Sequence, residues 1–227
     1  MFWDQTLIEL FRKGSFAMWP LLLCSIVGTA IVVERFLYFL GLRLNYDDFR
    51  KQLKGLLAKR KTKEALTLCR KHPSPVPRIA LEYLKNLNED SLRNEILKRE
   101  GSFALEQLET RLRWLAAITH IAPLLGLLGT VTGLVSAFHQ IEIFGGQVQP
   151  GDLAAGIWEA LITTVFGLVI AILCMAAFHG FEGAADRIAR RMQFIVSELD
   201  EFFSKESGAR FSSQDTEATE ETMRTVQ

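Results

Sequence analysis

The chain has 227 residues, 26 Lys and Arg against 26 Asp and Glu, and a formal net charge of zero. Hydrophobic residues make up 49% and mean hydropathy is +0.16, but the apolar residues gather in long runs between charged stretches, which is not the layout of a soluble domain. Zero net charge gives no electrostatic case for nucleic acid, and Cys24, Cys69 and Cys174 are too scattered for a disulfide scaffold or a zinc site.

Residues 1–14 contain FWDQTLIELFRK, with Trp3, Leu7, Leu10 and Phe11 at helical spacing. This pattern predicts an amphipathic helix on the outer face of a membrane. A first span is expected over 15–42. Gly14 to Val33 carries no charge, and the apolar pattern continues past Glu34 and Arg35 into FLYFLGL. A helix needs about 20 apolar residues to cross the hydrocarbon core. The run starts too late for a cleaved signal peptide and lacks a small-x-small site. Glu34 and Arg35 are candidates for a mutual pair, an inter-subunit contact, or boundary charges reaching for water.

Residues 43–114 read as a helical loop. Phe49, Leu53, Leu56 and Leu57 mark a helix over Tyr46 to Arg60, and Leu66 and Cys69 mark another over Lys63 to Lys71. His72-Pro73-Ser74-Pro75-Val76-Pro77 breaks the chain, with a helix restarting near Pro77 and running to Lys85. From Asp90 onward, Leu92, Ile96, Phe103, Leu108, Leu112 and Leu115 predict one long helix running into the second span.

The second span, 115–139, contains IAPLLGLLGTVTGLVSAF. Thr119, Pro123, Gly126, Thr130, Gly133 and Ala137 recur every three or four residues as a small, weakly polar stripe, and Gly129 with Gly133 forms a GxxxG. Such stripes let helices pack closely in lipid; whether this one only packs or also lines a polar path is open. Residues 140–152 read as a short turn.

The third span, 153–180, has a similar stripe in Ala160, Thr164, Gly167 and Ala171. Its Glu159 is a carboxylate inside an apolar run, which is a functional candidate by default, with an interfacial anchor as the alternative. On an ideal helix Glu159 lies about 40° from Thr163 but about 140° from Thr164, so both threonines border one path only if neighbouring helices share the lining. A helical stem over 181–206 and a disordered polar tail over 207–227 complete the chain.

Lys and Arg crowd 43–114 and the stretch after the third span, while His139 to Asp152 has none. The positive-inside rule then places the N-terminus and the short turn outside, and the loop and C-terminus in the cytoplasm. The four histidines show no ligand spacing, and no phosphate loop, nucleophile elbow or metal motif is present. The expected class is an all-α, non-enzymatic membrane protein with three transmembrane helices and long cytoplasmic extensions. One such chain cannot enclose an ion path, which implies a homo-oligomer.

At this point Ala122-Pro123-Leu124-Leu125-Gly126-Leu127-Leu128-Gly129-Thr130-Val131-Thr132-Gly133-Leu134, with Glu159-Ala160-Leu161-Ile162-Thr163-Thr164-Val165-Phe166-Gly167-Leu168, resembles the signature of the MotA/TolQ/ExbB proton-channel proteins. Cys24-Ser25 and Glu34-Arg35 extend the resemblance over most of residues 1–205. Three spans are similar to the ExbB/TolQ branch. The resemblance implies a homopentameric ring in the bacterial inner membrane around two copies of an ExbD/TolR-like single-span subunit, whose Asp carries the proton. It places pore residues at Thr130, Thr164 and Glu159, with Thr163 beside them and Gly126, Gly129, Gly133 and Gly167 as packing positions. It implies protons as the coupling ion, no further cofactor or metal, and a TonB/TolA-like energy transducer. It does not choose between TonB energisation, Tol-Pal-like envelope maintenance and another motor of the family. A membrane scaffold without ion conduction is the alternative from a different class.

Overall fold

A computed structural model describes residues 16–87, 89–143 and 150–225, with side chains left out at 150, 152, 153, 155, 159 and from 206 onward. The described residues form seven helices: α1 (Met18–Gly41), α2 (Tyr46–Ala58), α3 (Thr62–Lys71), α4 (Pro75–Lys85), α5 (Asp90–Glu109), α6 (Leu112–Ile143) and α7 (Pro150–Thr225). Three described helical stretches are long and apolar enough to cross a membrane, as the spans in the sequence predict. The expected amphipathic helix over 1–14 lies outside the described residues. The bounds of α7 carry helical backbone to Thr225, through the stretch expected as a disordered tail.

One expectation is corrected and another falls mostly outside the described residues. Of the turn expected over 140–152, residues 144–149 lie outside the described residues, with α6 described to Ile143 and α7 from Pro150; proline suits a first helical turn, where its missing N–H has no partner to lose. The single helix expected from Asp90 through the second span is two helices, broken at Thr110–Arg111.

The chain divides into two compact units, the first made of residues up to Leu40 with Leu108–Ala184, the second of Gly41–Gln107 with Ala185 onward. In the second unit, Phe49, Leu53 and Leu57 of α2 sit at four-residue spacing and are buried with Ala65 and Cys69 of α3. Ile79, Ala80 and Tyr83 of α4, Leu97 and Ala104 of α5, and Met192, Ile195 and Leu199 of α7 complete this core. Burial pushes the Cys69 thiol up to about 12, so it acts as a small hydrophobe. Ser74 holds the extended N-cap of α4, with Pro75 in the first turn, and so the helix starts two residues ahead of Pro77.

Helix α2 ends at Ala58 rather than Arg60, because Arg60 adopts a positive φ of 56°. The Arg60 N–H donates to Leu57 C=O at 2.9 Å and the Lys61 N–H to Leu56 C=O at 3.0 Å, the paired bonds of a Schellman cap without its usual glycine.

Charged contacts tie the second unit together. Glu198 of α7 pairs with Arg50 and, at 3.0 Å, with Lys54 of α2. Burial opposes the Glu198 charge, but hydrogen bonds and charge from Arg50 and Lys54 outweigh it and hold the carboxyl below its usual range. A depressed carboxyl pKa contributes stability above the unfolded value of about 4.3, and this is lost as pH falls through the folded value. Glu198→Gln is therefore expected to lower the melting temperature at neutral pH. It should also flatten the wild-type decline on acidification below about pH 4.3. Circular-dichroism melts from pH 7 down to pH 3 check this, and identical pH profiles would refute it. Salt should shrink the difference, since Arg50 and Lys54 are half exposed.

Candidate functional site

The site is the seam between α6 and α7 in the first unit. A methyl group built on Gly126 would stand 2.9 Å from Thr164 Cα, one on Gly133 2.9 Å from Ala160 Cβ, and one on Gly156 2.8 Å from Ala137 Cβ. A Cβ on Gly129 would lie 2.7 Å from Thr163 Cβ and closer still to its hydroxyl. A Cβ on Gly167 would meet backbone on two sides, Ala122 O at 2.6 Å and Gly126 Cα at 3.1 Å. The two small-residue stripes therefore face each other within one chain. The register runs antiparallel, 126 against 164, 129 against 163, 133 against 160 and 137 against 156. Gly126, Gly129, Gly133 and Gly167 all stand at these close approaches.

Helix α1 closes the third side. Met18 and Leu21 are buried with Leu115, Ile118 and Ala122 of α6 and with Ile162, Ala171 and Cys174 of α7. Gly28 lets α1 approach, since a Cβ there would stand 2.8 Å from Cys174 Sγ.

The threonines divide. Thr163 is fully buried, and its hydroxyl donates to Ala160 O at 2.7 Å and lies 3.4 Å from Gly126 O. Enclosed between the two helices, it fills the seam rather than lining a surface. Thr164 is half-buried at the edge of the seam, and its hydroxyl donates to Gly126 O at 2.9 Å. Thr130 is also half-buried, with its hydroxyl on Leu127 O at 2.6 Å. A threonine oxygen that has committed its proton to a carbonyl keeps its lone pairs for an outside donor. Thr130 and Thr164 can therefore accept from water or a partner side chain without losing their own bonds.

Glu159 is in α7 beside Ala160, and its side chain lies outside the described residues. By the register of the seam, the Thr130 backbone stands at a level between those of Thr164 and Glu159, which are themselves about 7.5 Å apart along the helix axis.

Glu34 and Arg35 meet partners inside the chain. Arg35 Nε lies 3.1 Å from Glu34 Oε2, and Arg111 Nη1 lies 3.2 Å from Glu34 Oε1. Arg35 is 4% exposed and also donates to Leu108 O at 3.4 Å. The role of Arg111 is not visible in the sequence, because nothing in the spacing brings it beside α1.

Three apolar helices, a glycine seam and hydroxyls at its edge define a polytopic helical membrane protein. Residues 71–194 match the model of the MotA/TolQ/ExbB proton channel family. The chain is 30% identical over 197 residues to the biopolymer transport protein exbB1 of Vibrio cholerae, covering 85% of this chain and 86% of that one. It is 33% identical over 185 residues to an ExbB-like biopolymer transport protein of Synechocystis, covering 79% and 72% of the two chains. It is also 33% identical over 94 residues to the Tol-Pal system protein TolQ of Pseudomonas aeruginosa, covering 41% and 40%. The chain belongs to the MotA/TolQ/ExbB proton channel family, with relatives in its ExbB/TolQ part.

Proposed function

We propose that this chain is the wall-forming subunit of a proton-motive-force-driven motor in the bacterial inner membrane, with the N-terminus periplasmic and the C-terminus cytoplasmic. Copies assemble as a homopentameric ring, with α6 and α7 inward, around two single-span ExbD/TolR-like subunits. The ring serves a TonB/TolA-like transducer that energises outer-membrane transport or envelope processes. The observation that carries this reading is the edge of the seam. Thr130 and Thr164 hold their protons on carbonyls and leave acceptor oxygens open there. Such a wall can pass or orient a proton, but its three spans contain no Asp and the second and third together hold the single carboxylate of Glu159, a poor complete relay. That fits a partner bringing its own acid. A unit charge falling through 100 mV releases about 2.3 kcal/mol, so a few ions suffice for a mechanical step.

The alternative is a scaffold without conduction, favoured by the fact that much of the small-residue stripe is consumed in packing within the chain. Reconstitution separates the two. The chain would be co-purified with a single-span, Asp-bearing protein encoded beside it, inserted into liposomes and followed with an interior pH dye. The motor reading expects proton flux under an imposed potential. An assembled complex with no flux above empty liposomes would leave the scaffold.

A further inference from the structure

Helices α6 and α7 repeat one short frame. Leu127-Leu128-Gly129-Thr130-Val131-Thr132-Gly133-Leu134 and Leu161-Ile162-Thr163-Thr164-Val165-Phe166-Gly167-Leu168 share the order Leu-x-x-Thr-Val-x-Gly-Leu. The seam obeys the same relation, because the approach of Gly133 to Ala160 has its mate in that of Gly167 to Gly126. Two antiparallel helices related in this way have a pseudo-two-fold axis across their seam. Equivalent side chains of the two frames therefore emerge on the same side of the pair.

At about 100° per residue, Leu127 and Leu134 lie within about 60° of Thr130, on its side away from the seam. Leu161 and Leu168 stand identically about Thr164. All four leucines are exposed, and α1 packs on the opposite side, against Ile118 of α6 and Ile162 of α7. By the register of the seam, Leu127 is near the level of Thr164 and Leu161 near that of Thr130. The two hydroxyls thus occupy neighbouring levels at the middle of this face. Leu134 and Leu168 stand beyond them at opposite ends, each about 6 Å past its own threonine. Exposed Ile157 joins Leu134 at one end, and half-buried Pro123 joins Leu168 at the other.

We propose that Leu134 with Ile157, and Leu168 with Pro123, form dry collars that keep the hydroxyl step from conducting by itself. The proposal rests on the motor reading, which turns this face toward the path. Water can stand at the threonine oxygens, but a continuous file must also cross an apolar level at each end, where it finds neither donor nor acceptor. The hydroxyls cannot extend the file, since each has its proton on a backbone carbonyl. A proton carried by a side-chain acid passes the collars with its carrier, and a proton carried by water does not. The leucines therefore set what may carry the ion, and they prevent idle leak.

Leak through a silenced complex tests this. The chain is co-purified with its single-span partner, whose aspartate is replaced by asparagine, and followed in liposomes with an interior pH dye. The wild-type chain should be tight. Leu134→Ser and Leu168→Ser should each raise flux per assembled complex about tenfold, the size of one added hydrogen bond to water on the path. Leu173→Ser, on exposed α7 surface about 180° from Thr164, should stay tight. Serine variants at positions 134 and 168 as tight as the wild type would overturn the collars, and so would an equal leak from Leu173→Ser. If the serine variant does not assemble, Leu168→Thr gives the same readout. The motor reading is tested apart from this, by the wild-type chain with the partner's aspartate intact: silence there removes the motor, whereas the collars are read from leak without any acid.

Discussion

Replacing Gly167 by alanine is expected to destabilise the protein by about 1–3 kcal/mol, the usual cost of forcing an extra methyl into a filled interior. The added Cβ would face Ala122 O at 2.6 Å and Gly126 Cα at 3.1 Å, and both are backbone. No rotamer change relieves such a clash, so α6 must move as a body and the contacts at Gly126, Gly129 and Gly133 loosen with it. The control is the same substitution where space is open. Cβ atoms on Gly101 in α5 and Gly180 in α7 would meet nothing within 4 Å. There alanine should be neutral or stabilise by up to about 0.5–1 kcal/mol, through its better helix propensity. Thermal melts in one detergent compare the three variants. A Gly167→Ala protein as stable as Gly180→Ala would refute the close seam.

Thr164→Val is expected to lower partner-dependent proton flux at least tenfold, corresponding to about 1.4 kcal/mol on the barrier, while the ring still assembles. Valine keeps the branched shape but removes the hydroxyl oxygen that the proposed function puts on the proton path. Thr164→Ser keeps that oxygen and should retain most of the flux. Thr163→Val is the informative neighbour. Its hydroxyl is buried and bonded to Ala160 O at 2.7 Å, so its loss should cost stability but leave flux per assembled complex intact. Liposome flux normalised to assembled complex distinguishes the two. Equal losses at both positions would remove Thr164 from the path and return it to packing.

Much of the fold was legible because bilayer thickness sets span length and the helical repeat marks buried faces. Phe49, Leu53 and Leu57 announced α2, and the charge-free run before Glu34 announced α1. What stayed hidden depended on partners distant in sequence. The stripe of Gly126, Gly129 and Gly133 was plain, but not that it faces Ala160, Thr163 and Thr164 of the same chain rather than a neighbour. Thr163 and Thr164 read alike as letters; only the register encloses one and leaves the other at an edge. The cap at Arg60 was invisible because an arginine stands where the motif favours glycine. The break at Thr110–Arg111 was missed because no Gly or Pro marks it. For the site, the residue types were readable and their division between packing and exposure was not.

The order in which the chain is made gives Glu34 and Arg35 a further consequence. The α6–α7 hairpin closes over a short stretch and can zip as it leaves the ribosome. Helix α1 emerges far earlier, and Leu115 and Ile118, against which it packs, do not yet exist. At ordinary elongation speeds it waits several seconds in the bilayer alone. A lone arginine near the end of such a helix would be drawn toward water and could carry the segment out of register. With glutamate as its immediate neighbour, the arginine arrives already neutralised, and α1 can be parked at the correct depth until its seat is synthesised.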